Sequence, residues 1–109
     1  MAFDESLAKR VRRLLRGDYA VEEKRMFGGL AFLVNGHMCC GIVTSDLVVR
    51  TGADAQAEAL SQPHARPMNF TGRPMRGFVY IGPPGCQSAP QLRAWIQRGL
   101  RFVLSLPPK

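Results

Sequence analysis

Acidic residues are scarce in this 109-residue sequence: eight Asp and Glu stand against fifteen Lys and Arg, a formal charge of +7. Cysteine is scarce too. Cys39 and Cys40 are adjacent in an expected strand and point to opposite faces, so with Cys86 they cannot build a disulfide framework. Reduced thiols in a cytoplasmic setting are the expectation. No apolar run has the length of a membrane span, and no apolar segment of the secretory kind follows the first basic residues. Neither a Gly-Lys-Ser/Thr phosphate loop nor a G-x-G-x-x-G run occurs. There are two histidines. His37 and Cys39 share a strand face at i, i+2, but the four ligands of structural zinc are not in view, nor is an orienting group for a Cys/His nucleophile. No catalytic residue, no metal and no cofactor is therefore expected, and the chain reads as a non-enzyme.

What is present is a run of strands from Arg25 to Thr51, RMFGGLAFLVNGHMCCGIVTSDLVVRT. Asn35-Gly36 lies between two apolar runs, the signature of a two-residue type I′ turn, which needs positive φ at both central residues. Ser45-Asp46 marks a second turn. Gly28-Gly29 precedes the first full strand, where a bulge or close backbone approach is expected. Counting from the two turns sets Val34 opposite His37, Phe32 opposite Cys39, Leu30 opposite Gly41, Ile42 opposite Val49 and Gly41 opposite Arg50. Alternation then puts Leu33, Met38, Cys40, Ile42, Leu47 and Val49 on one face, wholly apolar and expected to be core. Leu30, Phe32, Val34, His37, Cys39, Val43, Val48 and Arg50 fall on the other. That face is also largely apolar, and Phe32, Val34, Val43, Val48 and Arg50 are the expected interaction face, covered by a partner or a second copy unless a helix covers it.

The rest of the chain supplies helices. Residues 4–16 read as a helix with Asp4 as N-cap and Gly17 as stop, Leu7, Val11, Leu14 and Leu15 forming its apolar stripe. Residues 18–24 read as a connector whose Glu22 and Glu23 are surface charge. Residues 53–60 have high helix propensity and end near Ser61. The following HARPMNFTGRPMRG reads either as a basic clamp around an aromatic or, the preferred reading, as a Pro-interrupted edge strand and loop, since Pro67 and Pro74 cannot donate to a ladder. Phe78 to Ile81 is a short strand and Gly82 to Gly85 a turn. Ser88 caps the last helix, with Pro90 in its first turn and Leu92, Trp95, Ile96, Gly99, Leu100 and Val103 on one side. Gly99 on that side points to close approach.

Twelve of the fifteen basic residues are Arg. They support two readings: a solvated surface, or contacts to nucleic acid by Arg10, Arg13, Arg16, Arg73 and Arg76. A third reading is an anion pocket at Arg50, with room left by Gly41. Its counterpart is a salt bridge from Arg50 to Glu22 or Glu23.

Taken in order, Arg25-Met26-Phe27-Gly28-Gly29, the Asn35-Gly36 hairpin, Asp46-Leu47-Val48-Val49-Arg50, Phe70, Met75, Phe78-Val79-Tyr80-Ile81 and the Trp95 helix resemble the N-terminal domain of the TfoX/Sxy family, known for regulators of natural competence. The resemblance covers nearly the whole chain. It implies a single α+β domain over residues 1–109, an antiparallel sheet of about four to five strands packed with N-terminal and C-terminal helices. It also implies a regulatory role in transcription through protein contacts, with no catalytic residues to carry over. The competence regulators have a second, C-terminal domain, and this sequence stops at Lys109. The expected partner is a protein of the transcription machinery or a transcription factor, with a homodimer as one form, no membrane, and nucleic acid as the alternative.

Overall fold

The computed structural model describes residues 3–26, 28–70 and 73–108, without the side chains of Phe70, Arg73 and Pro74. Six strands form one antiparallel sheet: β1 (Val21–Met26), β2 (Gly29–Val34), β3 (His37–Val43), β4 (Asp46–Arg50), β5 (Ala65–Phe70) and β6 (Arg73–Ile81). Their order is β1-β2-β3-β4-β6-β5. Three helices accompany them: α1 (Glu5–Leu14), α2 (Gln56–Leu60) and α3 (Ala89–Val103). The class is α+β as expected, with one or two strands more. The extra strand is β1, which replaces the expected connector. Its VEEKRM sequence carries no apolar alternation, because both faces of this edge strand are exposed over five of its six residues.

Local chemistry accounts for the helix ends. Asp4 Oδ1 accepts from the Ser6 and Leu7 amides and opens α1. Leu7, Ala8 and Val11 are its buried stripe. The helix ends at Leu14, short of Gly17. Ser88 and Gln91 form a reciprocal capping box at α3, with Pro90 in the first turn. The α2 helix is shorter than expected, beginning only at Gln56, and its C-cap is Ser61.

The hairpin at Asn35-Gly36 is as read: φ is 52° and 86°, and Val34 pairs with His37. Beyond it the register departs from the count. Leu33 pairs with Met38 but Phe32 with Cys40, so Cys39 is an extra bulged residue, and Leu30 meets Ile42. The second turn falls at Thr44-Ser45, one residue early, with Thr44 at φ 57°. Ile42 therefore faces Leu47 and Gly41 faces Val48.

These shifts redraw the faces. Leu30, Phe32, Val34, Cys40, Ile42, Leu47 and Val49 share one buried cluster with residues of α1 and α3, including Leu7, Val11, Trp95 and Ile96. Phe32 and Val34 are thus the core beneath the helices and not part of an outer face, which corrects the sequence assignment. Cys39 lies in the same cluster as Cys40, because the bulge turns it inward. Gly99 is where α3 comes closest: a Cβ there would stand 2.8 Å from the Cys39 carbonyl oxygen.

Candidate interaction face

The opposite face of the sheet carries a second cluster: Ala31, Met38, Val48 and Met68 buried, with Met26, Leu33, Val43, Met75, Phe78 and Tyr80 partly buried around them. No described helix residue belongs to it. Four of the five methionines of the chain, Met26, Met38, Met68 and Met75, are here. Direct cross-strand pairing runs Lys24, Ala31, Gly41, Val48, Tyr80 and Arg66 in one row across all six strands. The row is apolar in the middle and cationic at both ends. Gly41 has no side chain to fill its place, and a Cβ there would approach the Leu30 carbonyl oxygen at 2.7 Å.

Arg66 stacks over the Tyr80 ring at 4.9 Å and is ion-paired with Asp46. Arg50 sits between two aromatics, 5.7 Å from Phe78 and 5.2 Å from Phe102 of α3. It makes no ion pair among the described residues. Glu23, one of its expected partners, is held by Arg12 instead, at 2.6 and 2.8 Å. Gly41 pairs with Val48 and not with Arg50, whose partner on β6 is Phe78, so the space expected from Gly41 does not lie opposite Arg50. Just beyond, Gln56 holds the β6 backbone in both directions. It accepts from the Gly77 amide at 3.0 Å and donates to the Phe78 carbonyl at 3.4 Å. Gly77, at φ 86°, allows the turn of chain that brings Met75 as well as Phe78 and Tyr80 to this face.

The expected interaction residues are therefore divided. Val48 is fully buried in the second cluster and Val43 lies at its rim. Arg50 closes its end, and Phe32 and Val34 are on the other side of the sheet. Leu33 and Met38, assigned to the core, belong to this face. The methionines were missed because they come from four separate strands and only the fold collects them.

The expected nucleic-acid residues do not form one group. Arg10 donates to the Gln87 carbonyl at 3.0 Å. Arg13 and Arg16 are exposed on α1 and just beyond it, on the helix side of the sheet, and Arg76 is exposed on β6. The Arg73 side chain, like residue Phe27 of the motif and the side chain of Phe70, lies outside the described residues. Arg12, Arg66 and Arg98 are committed to ion pairs with Glu23, Asp46 and Glu58.

His37 Nε2 donates to the Pro107 carbonyl at 2.7 Å and ties the C-terminal segment to the first hairpin. Among the described residues no three His, Cys, Asp or Glu side chains converge as metal ligands. All three cysteines are free and buried. The Cys40 thiol is pushed well above the usual thiol range by hydrogen bonding to Cys39 and by burial, and burial pushes the Cys86 thiol up. Such thiols are poor nucleophiles near neutral pH. A groove of about 630 Å³ runs between the Thr51–Ala55 turn and α3, where Arg98 pairs with Glu58 at 2.9 Å and Arg101 and Asp54 add one charge of each sign. No described helix is long and apolar enough to cross a membrane.

A six-stranded antiparallel sheet with helices on one side and a second apolar cluster, closed by the strands' own side chains, on the other defines a small α+β domain. The family model described as the TfoX N-terminal domain matches residues 13–103. The chain belongs to that family. Neither a curated protein nor a solved structure matches it.

Proposed function

We propose that this chain is a non-enzymatic regulatory adaptor of the cytoplasm, acting in the control of transcription through protein contacts made by the open, methionine-lined sheet face. The observation that carries this reading is the one-sided layering. Helices close one face of the sheet, while the other gathers four methionines and two aromatics with no described helix residue among them, Met38 and Met68 buried at its centre and Met26, Met75, Phe78 and Tyr80 half-buried around them. Methionine is flexible and polarizable, and surfaces rich in it adapt to partner side chains. Family membership supports the transcriptional setting. The expected partner is a transcription factor or a component of the transcription machinery, and competence genes are one class of target. The nucleic-acid reading receives less support, because many arginines are spent on internal contacts and those remaining exposed are spread over different parts of the surface.

The test is complementation in the native host after deletion of the gene, read as a transcript profile. The variant is Leu33→Glu/Val43→Lys, which leaves net charge unchanged and alters two partly buried rim positions. The wild-type gene should restore the profile and the folded double variant should not. Full restoration by the variant would overturn the assignment of this face. A deletion that alters no transcript would overturn the regulatory role itself.

A further inference from the structure

The two edges of the sheet differ. The β5 edge carries Pro67, which has no N–H, and loses register between Pro67 and Asn69. The β1 edge has neither defect. It pairs with β2 in unbroken register over all six residues, contains no Gly or Pro, and five of those residues are exposed. Such an edge is a template for another strand.

The direction of its free groups follows from one bond. The Asn35 amide donates to the Ala20 carbonyl at 2.9 Å, so Ala20 points its polar groups at β2. Alternation makes Glu22, Lys24 and Met26 do the same and turns the N–H and C=O of Val21, Glu23 and Arg25 outward.

We propose that the occupant of this edge is β1 of a second copy, paired antiparallel about a two-fold axis at Glu23. In antiparallel pairing, outward-facing residues must meet outward-facing residues. With the axis at Glu23, Val21 meets Arg25 of the other copy, Glu23 meets Glu23, and Glu22 meets Lys24. Six backbone hydrogen bonds form. On the open-face side the two Glu22–Lys24 pairs join residues of opposite charge that are in no ion pair within the chain among the described residues. The one like-charge contact, Glu23 with Glu23, falls on the carboxylate that Arg12 already neutralises. Shifting the axis by one residue would set Lys24 against Lys24 with no such relief. Val21, 39 % exposed and one of two large apolar side chains left outside among the described residues, comes under the stem of Arg25. The result is a twelve-stranded sheet with both methionine faces on the same side, a doubled surface for a two-fold symmetric partner. The dimer stands independently of which partner that face receives.

Sedimentation equilibrium of the full chain near physiological salt tests this. The wild type should be a dimer at micromolar concentration. Lys24→Glu and Glu22→Lys should each raise the dissociation constant about tenfold or more, because each turns two attractive cross-strand pairs repulsive. The double exchange Glu22→Lys/Lys24→Glu should restore dimerisation. Val21→Pro removes an outward N–H at the first strand residue, spares the β1–β2 ladder, and should also weaken the dimer. Hydrogen exchange at the Val21, Glu23 and Arg25 amides should slow as the protein is concentrated. A monomeric wild type at several hundred micromolar would overturn the proposal. So would single charge variants that dimerise like the wild type, or a dimer abolished only by Leu33→Glu/Val43→Lys.

Discussion

On one face of the sheet Phe32, Ile42 and Val79 lie under α1 and α3; on the other Met38, Val48 and Met68 are buried with no described helix residue among their neighbours. The first face is built of stiff β-branched and aromatic side chains closed by capped helices. The second is closed by the strands' own side chains, and methionine fills the gaps. The difference is one of packing: rigid side chains under the helices specify the fold, and the adaptable face is the one proposed above to meet a partner.

Adjacent residues test the distinction most directly. Phe32→Ala should cost about 3–5 kcal/mol in urea unfolding, because a fully buried ring leaves a cavity beneath the helices. Leu33→Ala, one residue on and half-buried on the open face, should cost about 1 kcal/mol. Equal losses would show that both faces are equally committed to stability.

Gly99→Ala probes how closely α3 must approach. Alanine favours a helix over glycine by about 1 kcal/mol. Here its Cβ would meet the Cys39 carbonyl oxygen at 2.8 Å and the Cys39 sulfur at 3.0 Å, and overpacking of that kind costs about 1–3 kcal/mol. A net loss of about 1 kcal/mol and a lower Tm are expected. A gain would mean that the bulge at Cys39 yields.

A smaller test reads the thiols. Cys39, Cys40 and Cys86 are buried, and the last two are held in the protonated form by their surroundings. A thiol-reactive dye at pH 8 should label none of them within minutes in native protein and all three in urea. Rapid labelling of the native protein would show that the helix-covered face opens readily.

The same bulge explains what the sequence could and could not tell. Asn35-Gly36 carries its turn in two residues, and Ser88 with Gln91 carries its cap, so both were legible. Misplacing the second turn by one residue changed the partners of Ile42 and Gly41 but left the faces of β3 and β4 correct relative to each other, because it moves the register by two residues and so preserves alternation. The bulge at Cys39 did the opposite. One inserted residue moved Phe32 and Val34 to the other face relative to β3. A bulge of this kind has no local composition to announce it. Strand β1 was illegible for another reason: exposed on both faces over five of its six residues, VEEKRM has no core side to bury and no pattern to show. Of the methionine face, Val43, Val48 and Arg50 were legible by alternation, but its methionines were not, since they come from β1, β3, β5 and β6.

The edge strand carries the contrast between faces at its smallest scale, and pH reads it. On the helix side of β1, Arg12 holds the Glu23 carboxyl below the usual carboxylate range by hydrogen bonding, partly opposed by burial. A carboxyl with a lowered folded pKa adds stability above its unfolded value and loses it as pH falls through the folded value. The contribution is therefore present at pH 7 and fades below about pH 4. Because the Arg12 and Glu23 side chains are 47 % and 32 % exposed, solvent screening limits it to about 0.2–1 kcal/mol. Glu23→Gln should lower the urea midpoint slightly at pH 7 and match the wild type at pH 3, with the gap narrowing in high salt. Lys24→Gln, on the open side and in no ion pair among the described residues, should produce no such pH-dependent gap in the isolated monomer. A matching gap at Lys24 would mean that the open side of β1 is electrostatically tied within the chain, and its charges would not be free to meet another strand.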